Sequence, residues 1–506
     1  MGCGGLSEED NGKAGRPCFR KDGEDMKVTR RWFIGGMASM GALAGCKAVS
    51  VPAGTFTGGK TRLRLGIISD IHVDAALGDF GKFGDTATLE HTLAWFGKQG
   101  VDGVIIAGDM ADNGMLNQLQ CVADAWYRVF PNEKGPDGRH VEKLFVYGNH
   151  DMEGHQYDKF DVRYFERESF EKAKISRDPK AAWEKIFHEE YQPIYMKQVK
   201  GYTFIGAHWR TWDGIPELEA YMKANGGKID PGKPFFFAQH PHPQNTCYGP
   251  DASGHDKGFA TRALSPFPNA VAFSGHSHMS LTEEGCIWQG AFTSIGTSSL
   301  RYADNYPYKP DSKPGWVNTT PPRKWDVRQG LLMTVTDDSV TLARRDFMND
   351  APLGDDWVFP LPSAEPRPFA FASRAAKAIA PQFAVDAALT VKPGKEKIEK
   401  GKDKDGKPIE TKLPTLEVTV PAATAAAGTR ASEYEIVIEK REGGVHATRF
   451  AADTGFNLPR AMATRPTSCL FLVRDLPKGM AFRFVVSPME SFGKKGKSIA
   501  SDWMTV

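Results

Sequence analysis

An α/β domain followed by an all-β sandwich is the fold the sequence predicts, and three observations carry it. From residue 62 onward, short β-branched or aromatic runs alternate with amphipathic helical stretches. Beyond a proline-rich interval only strand-like runs recur, and Asp, Asn and His cluster directly after several of the apolar runs rather than within them. The length of 506 residues exceeds what one hydrophobic core usually fills, so more than one domain is expected. Charged residues make up 25% and hydrophobic ones 41%, and 64 Lys plus Arg against 62 Asp plus Glu give a net charge of +2. That balance is ordinary, and it excludes nucleic-acid binding as a property of the whole fold. Seven cysteines are scattered without a CxxC pair, which argues against a zinc knuckle or a dense disulfide framework.

The first segment, residues 1–46, reads as an address. Lys27, Arg30 and Arg31 come without an acid and precede Trp32, Phe33 and Ile34, after which small residues dominate. A positive stretch before a short, weakly apolar one is the layout of an export signal, and the paired arginines resemble a twin-arginine signal. Seven Ala or Gly among the fourteen residues 32–45 argue against a buried helix, and the stretch is too short to span a membrane. Leu43-Ala44-Gly45-Cys46 resembles a lipobox, so Cys46 is the expected lipidation site and the membrane a partner through that anchor. The expected location is periplasmic or cell-surface. Residues 1–25 are polar and Gly-rich, which suits either a disordered extension or a true start at Met26.

A linker of small residues at 47–61 leads into the first domain, 62–362. Strands are expected at 63–68, 104–107, 144–147, 202–207, 235–238 and 271–273. Leu89, Leu93 and Phe96 form one helical stripe, and Leu116, Leu119, Val122 and Trp126 another. Strand alternating with helix implies a largely parallel sheet buried on both faces, with ligands at the carboxyl ends of its strands. From residue 287 strands alone are expected, including 330–336 and 340–343, as the second sheet of a sandwich. Prolines at 360, 362, 366 and 368 mark a linker, taken as 363–375. The last segment, 376–506, shows short alternating strands with turn signals, and its final hairpin is similar to that of a fibronectin type III domain. The mixed charges between 392 and 412 read as a solvated hairpin loop.

Five strand ends carry the chemistry: Asp70-Ile71-His72, Gly108-Asp109, Gly148-Asn149-His150-Asp151, His240-Pro241-His242 and Gly275-His276-Ser277-His278. Each block alone is weak. In this order, each after an apolar strand, they describe a dinuclear site, in which a carboxylate bridge such as Asp109 contacts both ions and imidazoles fill outer positions. Mixed nitrogen and oxygen donors without thiolate suit Mn, Fe, Zn or Co over Ca, Mg or soft metals. Two such ions activate water near neutral pH and shield a phosphoryl group, so hydrolysis of a phosphate ester is the expected reaction.

The order of these blocks resembles the calcineurin-like metallophosphoesterases over roughly residues 62–362. The resemblance implies a four-layer α/β/β/α sandwich with the site at the sheet edges. It assigns Asp70, His72, Asp109 and His278 to one metal, and Asp109, Asn149, His240 and His276 to the other. His150 matches the histidine that contacts the phosphate and protonates the leaving oxygen. Asp151, named with it as catalytic, is expected to orient that histidine or to close the turn. The residue three after Asp109 is Asp112, where purple acid phosphatases have Tyr, and His72 stands where they have Gly. An iron-tyrosinate site is therefore not expected.

Other residues read more simply as support. His242 lies two past a ligand and reads as a supporting or substrate-facing histidine; His208, Trp209 and Arg210 follow a strand; Asn245 and Tyr248 lie in a nearby loop. Cys121 falls on a helix stripe, and Cys247 and Cys286 could pair in an oxidising compartment. The principal expectation is an exported phosphoesterase for mono- or diesters using two divalent or trivalent ions (Mn, Fe or Zn). The alternative is a surface-anchored binding or scaffold protein with a vestigial metal domain, its carboxyl-terminal sandwich holding protein or glycan. Every ligand position is present, which favours the enzyme.

Overall fold

The apolar runs β1 (Leu63–Ile68), β2 (Gly103–Ala107) and β3 (Glu142–Val146) pair in parallel and are buried on both faces, which is why they lack polar alternation. The computed structural model describes residues 59–73, 85–114, 116–153, 179–249, 254–303, 327–361, 367–402, 407–424 and 430–506. The expected export signal with Cys46, and nearly all of the linker 47–61, lie outside the described residues.

One face of this sheet takes the two helical stripes. Leu89, Leu93 and Phe96 of α1 (Asp85–Gln99), with Leu119, Val122 and Trp126 of α2 (Leu116–Val129), pack on Ile68, Val104, Ile106 and Phe145. Cys121 is buried there as expected. The short α3 (Asn149–Glu153) follows β3 directly, and α4 (Pro179–Phe187) adds Trp183, Ile186 and Phe187 to the same core.

The opposite face meets a second sheet. It comprises β4 (Ile194–Val199), β5 (Tyr202–Ala207), β6 (Phe235–Ala238), β7 (Ala270–Ser274), β8 (Ile287–Gln289) and β9 (Thr293–Gly296), in the order β4-β5-β6-β7-β9-β8. Leu65, Ile67, Ile105 and Leu144 interdigitate with Phe204, Phe236, Val271 and Phe273 between the sheets. The outer face of the second sheet is covered by α5 (Leu218–Asn225) and α6 (Phe259–Leu264) through Leu218, Met222, Ala260 and Leu264. Helix, sheet, sheet and helix therefore stack in four layers.

Two sheet expectations need correction. The sheets are mixed: β5, β6, β7 and β9 run parallel, but β4 and β8 pair antiparallel at the edges. The late strands also do not form a second sheet together. β8 and β9 do join it, but β10 (Gln329–Val335) and β11 (Ser339–Asp346) return to the first sheet, where Leu63 pairs antiparallel with Val335 and Ile67 with Leu331. Beyond them, β12 (Ala351–Pro352) and β13 (Trp357–Pro360) extend the same sheet. Pairing partners follow from which edge is free after closure, and chain order does not encode that.

The interval read as a linker, 363–375, overlaps α7 (Phe371–Lys377), and Phe369 N donates to Gln289 Oε1 just before it. The carboxyl-terminal region is built from antiparallel sheets. β14 (Thr390–Pro393), β17 (Thr415–Val420) and β20 (Thr467–Leu472) form one; β18 (Ala431–Lys440), β19 (Val445–Ala452), β21 (Phe482–Glu490) and β22 (Ile499–Ala500) form another. Val418, Tyr434, Ile436, Phe471 and Phe484 fill the core shared by these strands. The charged stretch forms a separate exposed hairpin of β15 (Lys397–Lys402) and β16 (Pro408–Leu413), the solvated hairpin expected from its composition.

This region is docked on the first domain by buried polar contacts. Gln329, fully buried, accepts from Leu281 N, Ser280 Oγ and Ser298 Oγ on the first domain and donates to Asn457 O of the second. Arg430 donates to Leu353 O on one side and to Phe456 O and Leu458 O on the other. Replacing Gln329 by Ala strips these groups of a common partner. We expect a loss of about 1–3 kcal/mol in chemical denaturation, the usual cost of leaving buried polar groups unsatisfied.

Candidate metal centre

All seven expected ligands sit where the strands of the two sheets end, and short backbone and side-chain bonds sew those ends together. Asp70 N donates to Gly108 O, and Ile71 N and His72 N both donate to Asp109 O, which fastens the loop after β1 to the loop after β2. His276 N, after β7, donates to the Asp70 carboxylate at 3.1 Å, and His240 Nδ1, after β6, bonds Ala107 O at 2.7 Å. Both contacts cross from one sheet to the other, so the cluster lies at the seam between them.

The backbone there is strained. Asp70, His72, Asp109, His276 and His278 have φ of 50°, 46°, 51°, 67° and 53°, the left-handed region that costs a non-glycine residue of order 1–3 kcal/mol. Five of the seven expected ligands thus hold a conformation that only the surrounding bonds can impose. Two glycines make room for them: a side chain at Gly148 would strike Asp109, and one at Gly275 would strike Asp70 and Ser69.

The donor atoms fall into three groups, two of which share Asp109, while the third, His72, Asp112 and His150, shares His72 with the first. Asp70, His72, Asp109 and His278 offer ligand atoms within 4.8 Å of one another, as do Asp109, His240 and His276. Asp109 Oδ1 accepts from His150 N at 2.9 Å, while Oδ2 stands 3.0 Å from His240 Nε2 and 3.7 Å from His72 Nε2. Asp70 Oδ1 lies 3.0 Å from His278 Nε2, and the ε nitrogens of His72 and His278 face each other at 3.1 Å. Asn149 opens α3 beside this cluster and is buried.

These contacts fit a cation. With Nδ1 of His240 committed to a carbonyl, its Nε2 points a lone pair at the Asp109 carboxylate, and two imidazole nitrogens converge in the other group. A positive charge, proton or metal, has to lie between them. Protonation would answer the same need. Although burial opposes it, Asp109 raises His240 to about 9, and Asp112, Asp70 and Asp109 raise His72 to about 10. Burial likewise acts against Asp70 and Asp109, yet the facing imidazoles hold both well below the carboxylate range. His276 goes the other way: burial and the neighbouring His240 lower it to about 3, leaving its imidazole neutral and able to ligate. The cluster is a candidate Asp/His site for divalent metals.

His150 and Asp151 do different things. The His150 ring bonds Asp112 O through Nδ1 at 2.7 Å and meets His72 edge-on at 4.6 Å, so its Nε2 is left for another partner. Asp151 is buried and accepts from Ala111 N and Gly148 N, each at 2.8 Å. Of its two expected roles, closing the turn is the one these bonds perform; the His150 ring is aligned by the Asp112 carbonyl. Burial, then the Asp109 charge, push Asp151 up to about 7.

Among the supporting residues, His242 is buried with Nε2 2.8 Å from Ser277 Oγ. His208 is buried under Trp183 and Tyr191, accepts from Tyr147 N, and is lowered to about 3 by burial. Trp209 lies 5.9 Å from His276, whereas Arg210 turns to Glu217 at 3.3 Å. Asn245 and Tyr248 adopt positive φ, and Tyr248 Oη donates to Cys286 Sγ at 2.9 Å. Cys247 and Cys286 do not pair: both are free buried thiols, with Cys247 Sγ bonded to Cys286 O.

Three contributors carry no motif. Asp112 Oδ1 approaches His72 Nδ1 at 3.4 Å, Arg301 donates to His72 O, and Tyr302 lies 4.2 Å from the His278 ring. Only Asp112 had a sequence signal, its place three residues after Asp109.

The sequence model of the family described as calcineurin-like phosphoesterase matches residues 63–280. Similar solved structures include a dimetal phosphatase from Danio rerio (12% identity, 60% of this chain and 99% of that one, TM-score 0.35). A purple acid phosphatase from yellow lupin (Lupinus luteus) seeds aligns at 13% identity over 59% of this chain and 53% of that one, with a TM-score of 0.37. An archaeal phosphodiesterase aligns at 13% over 59% and 100%, with a TM-score of 0.23. Similarity at this level says nothing of what this chain binds or cleaves. No curated protein matches the chain. Residues 63–280 are therefore the part of the chain similar to calcineurin-like phosphoesterases, and every residue of the Asp/His cluster falls inside them.

Proposed function

We propose that the chain is an exported two-metal phosphoesterase that hydrolyses phosphate mono- or diesters. The observation that carries this reading is the pair of donor groups that share Asp109. Asp70, His72, Asp109 and His278 would hold one ion, and Asp109, Asn149, His240 and His276 the other. Mn, Fe or Zn bound there would polarise phosphoryl oxygens and lower the pKa of a water. Asp109 commits Oδ1 to the His150 amide, so Oδ2, which faces His240 and His72, would be the oxygen it offers to metal. His150, its Nδ1 proton held by Asp112 O, keeps Nε2 for exchanging a proton with the leaving oxygen. The backbone bonds that impose positive φ on Asp70, His72, Asp109, His276 and His278 would hold the donors in place, which is the preorganisation such chemistry needs.

Metal-dependent release of nitrophenol from nitrophenyl phosphate or its bis-ester, lost on chelation and regained with Mn, Fe or Zn, is the expected result. No turnover with any metal would overturn the reading and favour the scaffold alternative. Export and anchoring rest on the paired arginines and the Leu43-Ala44-Gly45-Cys46 box. Mass spectrometry of the mature amino terminus should find an acylated Cys46; an unmodified one would remove the anchor. The two antiparallel sheets sharing one core support a fibronectin type III-like reading of 376–506.

A further inference from the structure

We propose that Trp212 is a stacking face for a planar ring carried by the phosphate ester, so that the substrates are aryl or nucleotide-like esters. This rests on the phosphoesterase reading and names its substrate class. Trp212 is 62% exposed, although it belongs to the largest apolar residue type. Its ring stands edge-on to buried Trp209 at 5.1 Å and 83°, and both rings lie about one ring's width from His276, at 6.0 and 5.9 Å. The indole therefore flanks the donor group formed by Asp109, His240 and His276.

The turn that presents it is held. Gly214 N donates to Thr211 O at 3.0 Å, Thr211 Oγ1 to Gly214 O at 3.1 Å, and Lys257 N to Asp213 O at 2.8 Å. Lys257 Nζ also pairs with Asp213 at 2.5 Å. An indole on a held turn, open to solvent beside a cluster that would attract phosphate once metal-loaded, offers an aromatic surface at little ordering cost. Aliphatic alcohols gain less from such a face than flat rings do, so it discriminates by the shape of the ester and not by its phosphate.

The test compares kcat/KM of metal-loaded wild type, Trp212→Ala and Trp212→Phe on p-nitrophenyl phosphate, adenosine monophosphate and glycerol phosphate. The preference for ring-bearing over glycerol esters should fall about tenfold in Trp212→Ala, mainly through KM, and be largely restored in Trp212→Phe. A fall for the nucleotide alone assigns a nucleobase, and a fall for both assigns any aryl ring. An unchanged preference overturns the inference while leaving the phosphoesterase reading intact. A second readout is independent of turnover: adenosine monophosphate should quench tryptophan fluorescence saturably in wild type, and that quenching should be lost in Trp212→Ala. Such quenching without hydrolysis of any ester would retain the stacking face and remove the phosphoesterase reading. Quenching equal in wild type and Trp212→Ala would overturn the inference.

Discussion

Replacing Asp109 by Ala is expected to abolish metal uptake and phosphate-ester turnover together, with activity down about 10³-fold or more. Two of the donor groups contain Asp109, and its Oδ2 is the atom that faces His240 and His72. Without it, imidazoles from two sheets converge with only Asp70 and, on the far side of His72, Asp112 to balance any cation. Asp109→Asn sharpens the experiment. It keeps an oxygen for the His150 amide, so the turn should survive, yet it removes the charge that lets one side chain serve two ions. Elemental analysis beside a nitrophenyl phosphate assay reads both losses. Metal content and rate at wild-type levels in either variant would refute the assignment.

His150→Ala should separate the two. Its amide, not its ring, bonds Asp109, so the substitution leaves that link in place and metal content should hold. Its ring is positioned by the Asp112 carbonyl for proton exchange, and removing a general acid typically costs about 10²- to 10⁴-fold. The loss should appear in kcat and shrink for esters with acidic leaving groups, which need no proton. An equal loss for good and poor leaving groups would assign His150 to phosphate binding instead.

These expectations come from residues that could be read along the chain. Asp70, His72, Asp109, Asn149, His240, His276 and His278 were legible because each follows an apolar run, and strand ends are where an α/β fold puts its ligands. The stripes of Leu89, Leu93 and Phe96, and of Leu119, Val122 and Trp126, were legible because helical periodicity reports a buried face. Asp151 was only half legible. Its residue type admits two roles, and the amides of Ala111 and Gly148 select one. Arg301, Tyr302 and Trp212 carry no local pattern. Each acquires a relation to the cluster from a loop whose path depends on distant contacts.

Sequence alone therefore established the alternation of strand and helix, the order of the Asp/His blocks and the existence of a later β region, since all three are local patterns. The tertiary structure decided three others: that β10 and β11 extend the first sheet, that the later sheets dock on the first domain through Gln329 and Arg430, and that Trp212 borders the cluster. The physical reason is range. Propensity and periodicity act over a few residues, whereas edge pairing, burial of a shared polar group and strain at Asp70 or His278 exist only once segments hundreds of residues apart have met.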